Sequence, residues 1–375
     1  MSLTRGTVGP VLLKVLDLGS NSFQLRRFRV EASRVESVDL AARSFGFETR
    51  LSPSGDIAEP ALDDALRCVQ QLLAAVPAPG ELVGVARGAL RTAGNVRSLL
   101  HAIESTYRCP VFLLTSAEEA ELAYRGAWTK LAELACVPTA VVDIGSSTTH
   151  IAIGDAEGSF ERLSLPVGTT PLSRLIARRQ LWPAVRRILT GGAVVELQTF
   201  PPKLLAFTTG VARAVLQVGR RLSVFPPGAG RFAPSSLRIA ADCFLAMDDL
   251  ALLEAGCPES CVDALRPGAC LMSGLVDATM ADSFAIVSAG LAEGVAEVIA
   301  QVQAESHASA PAALGLSLAN SLLSPEGSRL RPALTSQGEF SPRESQKIPT
   351  GALSDADLRA TQRAVPAVNK NQRTA

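Results

Sequence analysis

The chain has 375 residues, and its 36 basic side chains balance 36 acidic ones for a formal net charge of zero. At roughly 150 residues per domain this predicts two domains and an extension, and 47% hydrophobic with 19% charged residues suits a globular protein. The neutral balance gives no support to a generalised binder of nucleic acid or of a membrane surface, while leaving room for a local basic cleft for a polyanion, and no apolar run reaches the ~18 residues of a membrane span.

Asp17 interrupts the apolar stretch near the start, and no small-residue cleavage site follows it, so no signal peptide is expected. The seven cysteines are scattered without paired CxxC spacing, which reads as free thiols in a reducing cytoplasm. Cys257 and Cys261 lie four apart but have no histidine close by in sequence, too little for a zinc site.

In chain order, VLDLGSNSFQLRRFRV (15–30) reads as a strand, a tight Gly/Ser/Asn loop and a second strand. ALDDALRCVQQLLAAV (61–76) has the apolar spacing of an amphipathic helix. ELVGVARGA (81–89) is a strand running into a loop, LRTAGNVRSLLHAIEST (90–106) a helix, and PVFLLTS (110–116) a strand. AEEAELAYRGAWTKLAEL (117–134) is a long helix with an acidic first turn. AVVDIGSSTTHIAIGD (140–155) then repeats the opening pattern, with Asp143 standing 126 residues beyond Asp17. A repeat at that distance implies two similar domains rather than a solenoid. Helices are expected through 171–180 and 183–199, a strand at 204–210, a helix from 211, and mainly helices up to GLAEGVAEVIAQV (290–302). Alternating strands and helices indicate α/β domains. From Ser306 onward Ser and Pro recur and Phe340 is the one aromatic. Such a stretch buries too little apolar surface to offset its ordering entropy, so 306–375 is expected to be a mostly disordered tail with at most short helices.

The two loops carry the chemistry. Gly19 and Gly145 allow close backbone approach to an anion. Ser20, Asn21, Ser22, Ser146, Ser147, Thr148 and Thr149 surround them with donors. Two such loops across a cleft make a phosphate clamp, and Asp17 and Asp143 could hold Mg²⁺ beside it; each loop alone would read as an ordinary hairpin turn. Glu118 and Glu119 fit a helix N-terminus, where acids are stabilised, or one of them could take a proton from water. Arg91 and Asn95, four apart, fit a solvated helical face, or a phosphate-binding arginine.

These segments resemble the exopolyphosphatase / guanosine pentaphosphate phosphohydrolase family (Ppx/GppA). VLDLGSNSFQL is similar to its first phosphate loop, GVARGALRTAGN to its ATSAxRxAxN segment, and LLTSAEEAEL to its ISGxEEARL segment. VVDIGSSTTHIAIG is similar to its second loop, with SLPVGTTPL, VDALRPGACLM and SAGLAEGV following in order, so the resemblance spans about residues 11–300. It implies an α/β fold of two actin-like (ribonuclease H-like, sugar kinase/heat-shock ATPase type) domains flanking a cleft, at 11–127 and 128–305, with the helix near Gly290–Val302 packing back on the first. It implies Glu119 as the carboxylate that activates water, Arg91 as a phosphate ligand, Asp17 and Asp143 as residues linked to phosphate and Mg²⁺, and inorganic polyphosphate or guanosine pentaphosphate as substrate, in a cytoplasmic protein that could be a homodimer.

The departures from the family pattern are equally specific. His150 stands where the family has a second active-site glutamate; Ser146 and Ser147 replace glycines; Arg87 and Gly88 replace Thr-Ser; Ala292 replaces an arginine. They leave open a second expectation, a catalytically degenerate sensor or scaffold that binds polyphosphate or a nucleotide.

Overall fold

The computed structural model describes residues 11–31, 34–52, 54–131, 134, 138–175, 180–190, 197–198, 201–306 and 308–323. The first sheet contains β1 (Val11–Leu18), β2 (Ser22–Glu31), β3 (Arg34–Ser44), β4 (Glu81–Ala86) and β5 (Val111–Leu113), in the order β3-β2-β1-β4-β5. β1 and β2 are antiparallel neighbours across the Gly19–Asn21 turn, and β1 and β4 are parallel. The second sheet contains β6 (Thr139–Ile144), β7 (Thr149–Asp155), β8 (Gly158–Leu165), β9 (Leu204–Phe207) and β10 (Ser283–Ile286), in the order β10-β9-β6-β7-β8. Read from its other edge this is the same order, and β6 is again antiparallel to β7 and parallel to β9. The repeat expected from the two loops is therefore a repeat of topology, and it gives the actin-like α/β architecture.

Buried strands read as continuous apolar runs, and β6 (TAVVDI) is buried at all six positions. β3 is the opposite case. It is an exposed edge strand with apolar residues at irregular spacing, which is why the sequence pattern does not announce it. On one face of the first sheet, α1 (Glu59–Ala75) and α2 (Val96–Tyr107) cover a core containing Phe23, Phe45, Phe47, Leu72 and Ile103. The other face packs against α10 (Leu291–Ser306), whose Leu291, Val295 and Ile299 meet Leu13 and Val15 of β1 and Val83 and Val85 of β4. The final stretch of the globular sequence thus returns to the first sheet.

α3 (Ser116–Leu131) joins the two cores. Leu122 packs into the first, and Ala120, Tyr124, Ala127 and Leu131 into the second; the boundary expected at 127/128 falls inside this unbroken helix. α3 and α10 meet at backbone distance. A Cβ on Gly126 would stand 1.9 Å from the Gly290 carbonyl oxygen, and one on Gly294 would stand 1.8 Å from that of Leu122. Glycine is required at both positions by close approach.

Beside the second sheet come α4 (Thr169–Ser173), α5 (Leu181–Leu189), α6 (Gly210–Arg221), α7 (Pro234–Ala246), α8 (Asp249–Glu254) and α9 (Val262–Thr279). The helix expected at 183–199 is described only in part. One expectation is corrected: the chain beyond 306 does not begin as a disordered tail. Ala310–Leu323 forms α11, which buries Ala310, Ala313 and Leu314 in the α10–β1–β4 core, while Glu81 accepts a hydrogen bond from the Ala310 N–H at 2.6 Å. Small apolar residues at helical spacing suffice because the partner surface already exists. The rest of the expected tail, 324–375, and Cys136 lie outside the described residues. Among the described residues no helix is long and apolar enough to cross a membrane.

Candidate active site

Asp17 near the end of β1 and Asp143 near the end of β6 occupy equivalent places in the two sheets. The loop after each is a tight turn closed by a glycine: the Gly19 N–H donates to the Ser22 carbonyl at 3.1 Å, and the Gly145 N–H to the Thr148 carbonyl at 2.8 Å. Asp17, Glu119 and Asp143 are all buried and converge on a single side chain, Arg87. Its Nε and Nη2 donate to the two carboxylate oxygens of Asp17 at 2.8 and 3.1 Å. Its Nη1 donates to Glu119 Oε1 at 3.0 Å and lies 3.8 Å from Asp143 Oδ2. The planar guanidinium fork suits this bidentate arrangement. Arg87 follows β4, and its own N–H is tied to the Leu18 carbonyl at 3.1 Å, beside the first loop.

Glu119 has further partners. Arg91 Nη1 lies 2.5 Å from its Oε2, and His150 Nε2 lies 3.2 Å from the same oxygen. Burial alone would push this carboxyl up. The hydrogen bond with His150 and the charges of Arg87, His150 and Arg91 outweigh it and hold Glu119 well below the usual carboxylate range. Asp143 moves the other way: burial raises it, Arg87 opposes only partly, and the nearby Glu119 charge raises it further. Burial disfavours the charge on Arg87, but Asp17, Asp143 and Glu119 outweigh that and stabilise the cation strongly.

The two adjacent glutamates separate cleanly. The Thr115 N–H donates to Glu118 Oε2 at 2.7 Å, and the Glu118 N–H donates to Thr115 Oγ1 at 3.2 Å. This reciprocal pair is a capping box at the start of α3, which leaves Glu119 to face the arginines. Asn95 is structural: its side chain both accepts from the Ile57 N–H and donates to the Ile57 carbonyl.

The loop residues also divide. Ser20 Oγ accepts from the Ala89 N–H at 2.7 Å and so fixes the Gly88–Thr92 turn that carries Arg91. Asn21 is exposed, and its carbonyl accepts from the Phe45 and Gly46 N–H groups. Ser22 begins β2. Thr149 Oγ1 donates to the Val167 carbonyl in the interior, so the donor expected there faces away from any ligand. The Ser146 carbonyl accepts from the Thr170 N–H. Thr148 Oγ1 lies 3.1 Å from His150 Nε2, and Ser147 Oγ is buried with no hydrogen-bond partner among the described residues.

Next to this cluster opens a cleft of about 530 Å³. Arg91, Arg174, Thr92, Ser116, Ser147 and Thr148 line it, and among the described residues no acidic or aromatic side chain does. Sequence reasoning missed Arg174 and noted Arg87 only as a departure. Position 87, directly after a strand and one residue before a glycine at φ +65°, was the available signal.

Mg²⁺ requires several oxygens in near-ideal octahedral geometry. Both oxygens of Asp17 and both of Glu119 face arginines, and Asp143 Oδ1 alone among these carboxylate oxygens is buried without a partner. No group of three or more His, Cys, Asp or Glu among the described residues is arranged to hold a metal. The side chains present do not fit the expected ion.

The model of the Ppx/GppA phosphatase family matches residues 31–186. The fold is similar to the crystal structure of a Ppx/GppA family member from Aquifex aeolicus, with a TM-score of 0.65 at 17% identity, covering 80% of this chain and 100% of that one. It is similar to an exopolyphosphatase from Cytophaga hutchinsonii, with a TM-score of 0.63 at 18% identity over 77% and 98% of the two chains. An exopolyphosphatase-like protein gives a TM-score of 0.65 at 18% identity over 77% and 98%.

Proposed function

We propose, for a chain whose residues 31–186 match the Ppx/GppA phosphatase family and whose fold is that of its solved members, that it removes the terminal phosphoryl group from inorganic polyphosphate. The observation that carries this reading is the meeting of Glu119 with Arg87 and Arg91 beside a cleft walled by arginines and hydroxyls. Phosphoryl transfer needs positioning and charge neutralisation more than covalent chemistry. The arginines and hydroxyls that line the wall among the described residues suit a bare phosphate chain, whereas the base of guanosine pentaphosphate would gain from an aromatic stacking partner that none of them offers.

In this mechanism the chain lies along Arg174 and Arg91 with its end against the Gly19 and Gly145 loops. Phosphate oxygens compete for Arg91, so the pair with Glu119 loosens and Glu119 becomes more basic. Glu119 orients water and takes its proton. The water oxygen bonds to the terminal phosphorus, the bridging P–O bond breaks, and the shortened chain leaves with the electron pair; the products are orthophosphate and a chain one unit shorter. His150 keeps the freed carboxylate aimed.

The test is orthophosphate release from medium-chain polyphosphate, run beside guanosine pentaphosphate and ATP. Release from polyphosphate that Glu119→Gln lowers by roughly 10²–10⁴-fold supports the reading; equal release from the Glu119→Gln protein overturns it. A second reading, a sensor that binds the same chain without turnover, is favoured by the saturation of Glu119 with three cationic or donor partners. Tight binding with no release would select it.

A further inference from the structure

We propose that Arg87 is the resident cation of this site, holding the position between the two sheets where Mg²⁺ was expected, so that phosphate chains bind without a divalent metal. The inference rests on the phosphate-site reading above, but not on turnover.

Three carboxylates reach one point from three elements: Asp17 from β1, Glu119 from α3 and Asp143 from β6. Left together in the interior they would repel one another, and a cation is required among them. The guanidinium of Arg87 supplies it from within the chain. All three of its nitrogens are engaged by carboxylates, at 2.8 and 3.1 Å to Asp17, 3.0 Å to Glu119, and 3.8 Å to Asp143.

Its position is built rather than incidental. The Arg87 N–H is anchored to β1, and Gly88 at φ +65° turns the chain so that the Ala89 N–H meets Ser20 Oγ. A Cβ on Gly88 would stand 2.2 Å from that oxygen, and the ideal Cβ of Gly19 lies 3.7 Å from Arg87 Nη2. The guanidinium therefore sits directly behind the first phosphate loop. An arginine cannot be deprotonated or chelated away, and its charge is present before any ligand arrives. One partnerless oxygen, Asp143 Oδ1, is too little to hold Mg²⁺ beside it.

The full chain is tested in two ways: Mn²⁺ binding followed by electron paramagnetic resonance of the free ion, and binding of end-labelled inorganic polyphosphate in excess EDTA and in Mg²⁺. The wild type is expected to show no saturable Mn²⁺ site and similar polyphosphate affinity in both buffers. Arg87→Ser is expected to gain a Mn²⁺ site and to lose polyphosphate affinity by about 10- to 100-fold in EDTA, the loss regained with Mg²⁺. Arg87→Lys keeps the charge and serves if Arg87→Ser does not fold; it should bind polyphosphate in EDTA without acquiring a Mn²⁺ site. A saturable Mn²⁺ site in the wild type, or polyphosphate binding that EDTA abolishes, overturns the proposal. Metal-free binding without orthophosphate release would sink the hydrolase reading and leave this one standing. Release that needs Mg²⁺, together with a Mn²⁺ site in the wild type, would do the reverse.

Discussion

Glu118 and Glu119 are chemically identical neighbours with different environments, and substitution separates them. Glu118→Ala removes half of a capping box and should cost about 1 kcal/mol of stability with turnover largely kept. Glu119→Gln should lower turnover by roughly 10²–10⁴-fold. The Glu119 carboxyl is held below its unfolded value, so its contribution to stability is complete above the unfolded pKa of about 4.5 and is lost as pH falls through the lower folded value. The wild type should therefore lose stability steeply below about pH 4.5, and Glu119→Gln should flatten that limb in thermal melts recorded against pH. Asp143 has the opposite sign. Its folded carboxyl is raised by burial, so its ionisation opposes folding as pH rises through the folded value. Asp143→Asn should leave the melting temperature at pH 7 unchanged or higher, whereas Arg87→Ser, which removes the guanidinium that three buried carboxylates share, should cost about 3–5 kcal/mol. A lower melting temperature for Asp143→Asn than for Arg87→Ser would refute this charge assignment. His150→Glu would set a second carboxylate against Glu119, so its melt should be depressed at neutral pH and recover toward pH 5.

At the scale of elements, α3 matters because it delivers Glu119 while packing into both cores. Its crossing with α10 allows no side chain at Gly126 or Gly294. Gly126→Ala should wedge the helices apart, lowering the melting temperature and also the turnover rate, because Glu119 lies two turns away on the same rigid rod. An unchanged rate in a folded Gly126→Ala protein would mean that the helix does not fix the carboxylate. The crossing is buttressed by Arg26, which pairs with Glu293 of α10. Glu293 in turn accepts from the Gly290 N–H at 2.9 Å. Two glycines and an ion pair thus fix the helix that carries the Glu119 carboxylate.

For the whole molecule, the chain returns to its first sheet through α10 and then through α11. A protein ended after Glu305 loses the burial of Ala310, Ala313 and Leu314 and exposes apolar β1–β4 core. The expected result is a loss of about 3 kcal/mol or more, at ~25 cal/mol per Å² of apolar area, seen as a lower denaturant midpoint, whereas ending after Arg329 should leave the midpoint in place. Equal midpoints for the two truncations would show that α11 contributes nothing to the core.

The sequence by itself determined the α/β class and the repeated strand–loop–strand units that carry Asp17 and Asp143, whereas Glu119 and Arg91 stood out only through the family resemblance. These are local or duplicated signals: apolar runs, turn residues and spacing survive in one dimension. It did not determine β3, whose exposed edge lacks a pattern, or the docking of α11, whose small residues become apolar partners only beside an existing surface. Above all it left Arg87 as a mere departure. What that guanidinium does depends on three carboxylates brought together from positions 17, 119 and 143, and only the tertiary structure sets their distances. Charge–charge energy varies as the inverse of separation and of local dielectric. Neither quantity exists along a sequence, and here both decide whether a site expected to need a metal ion carries its own cation.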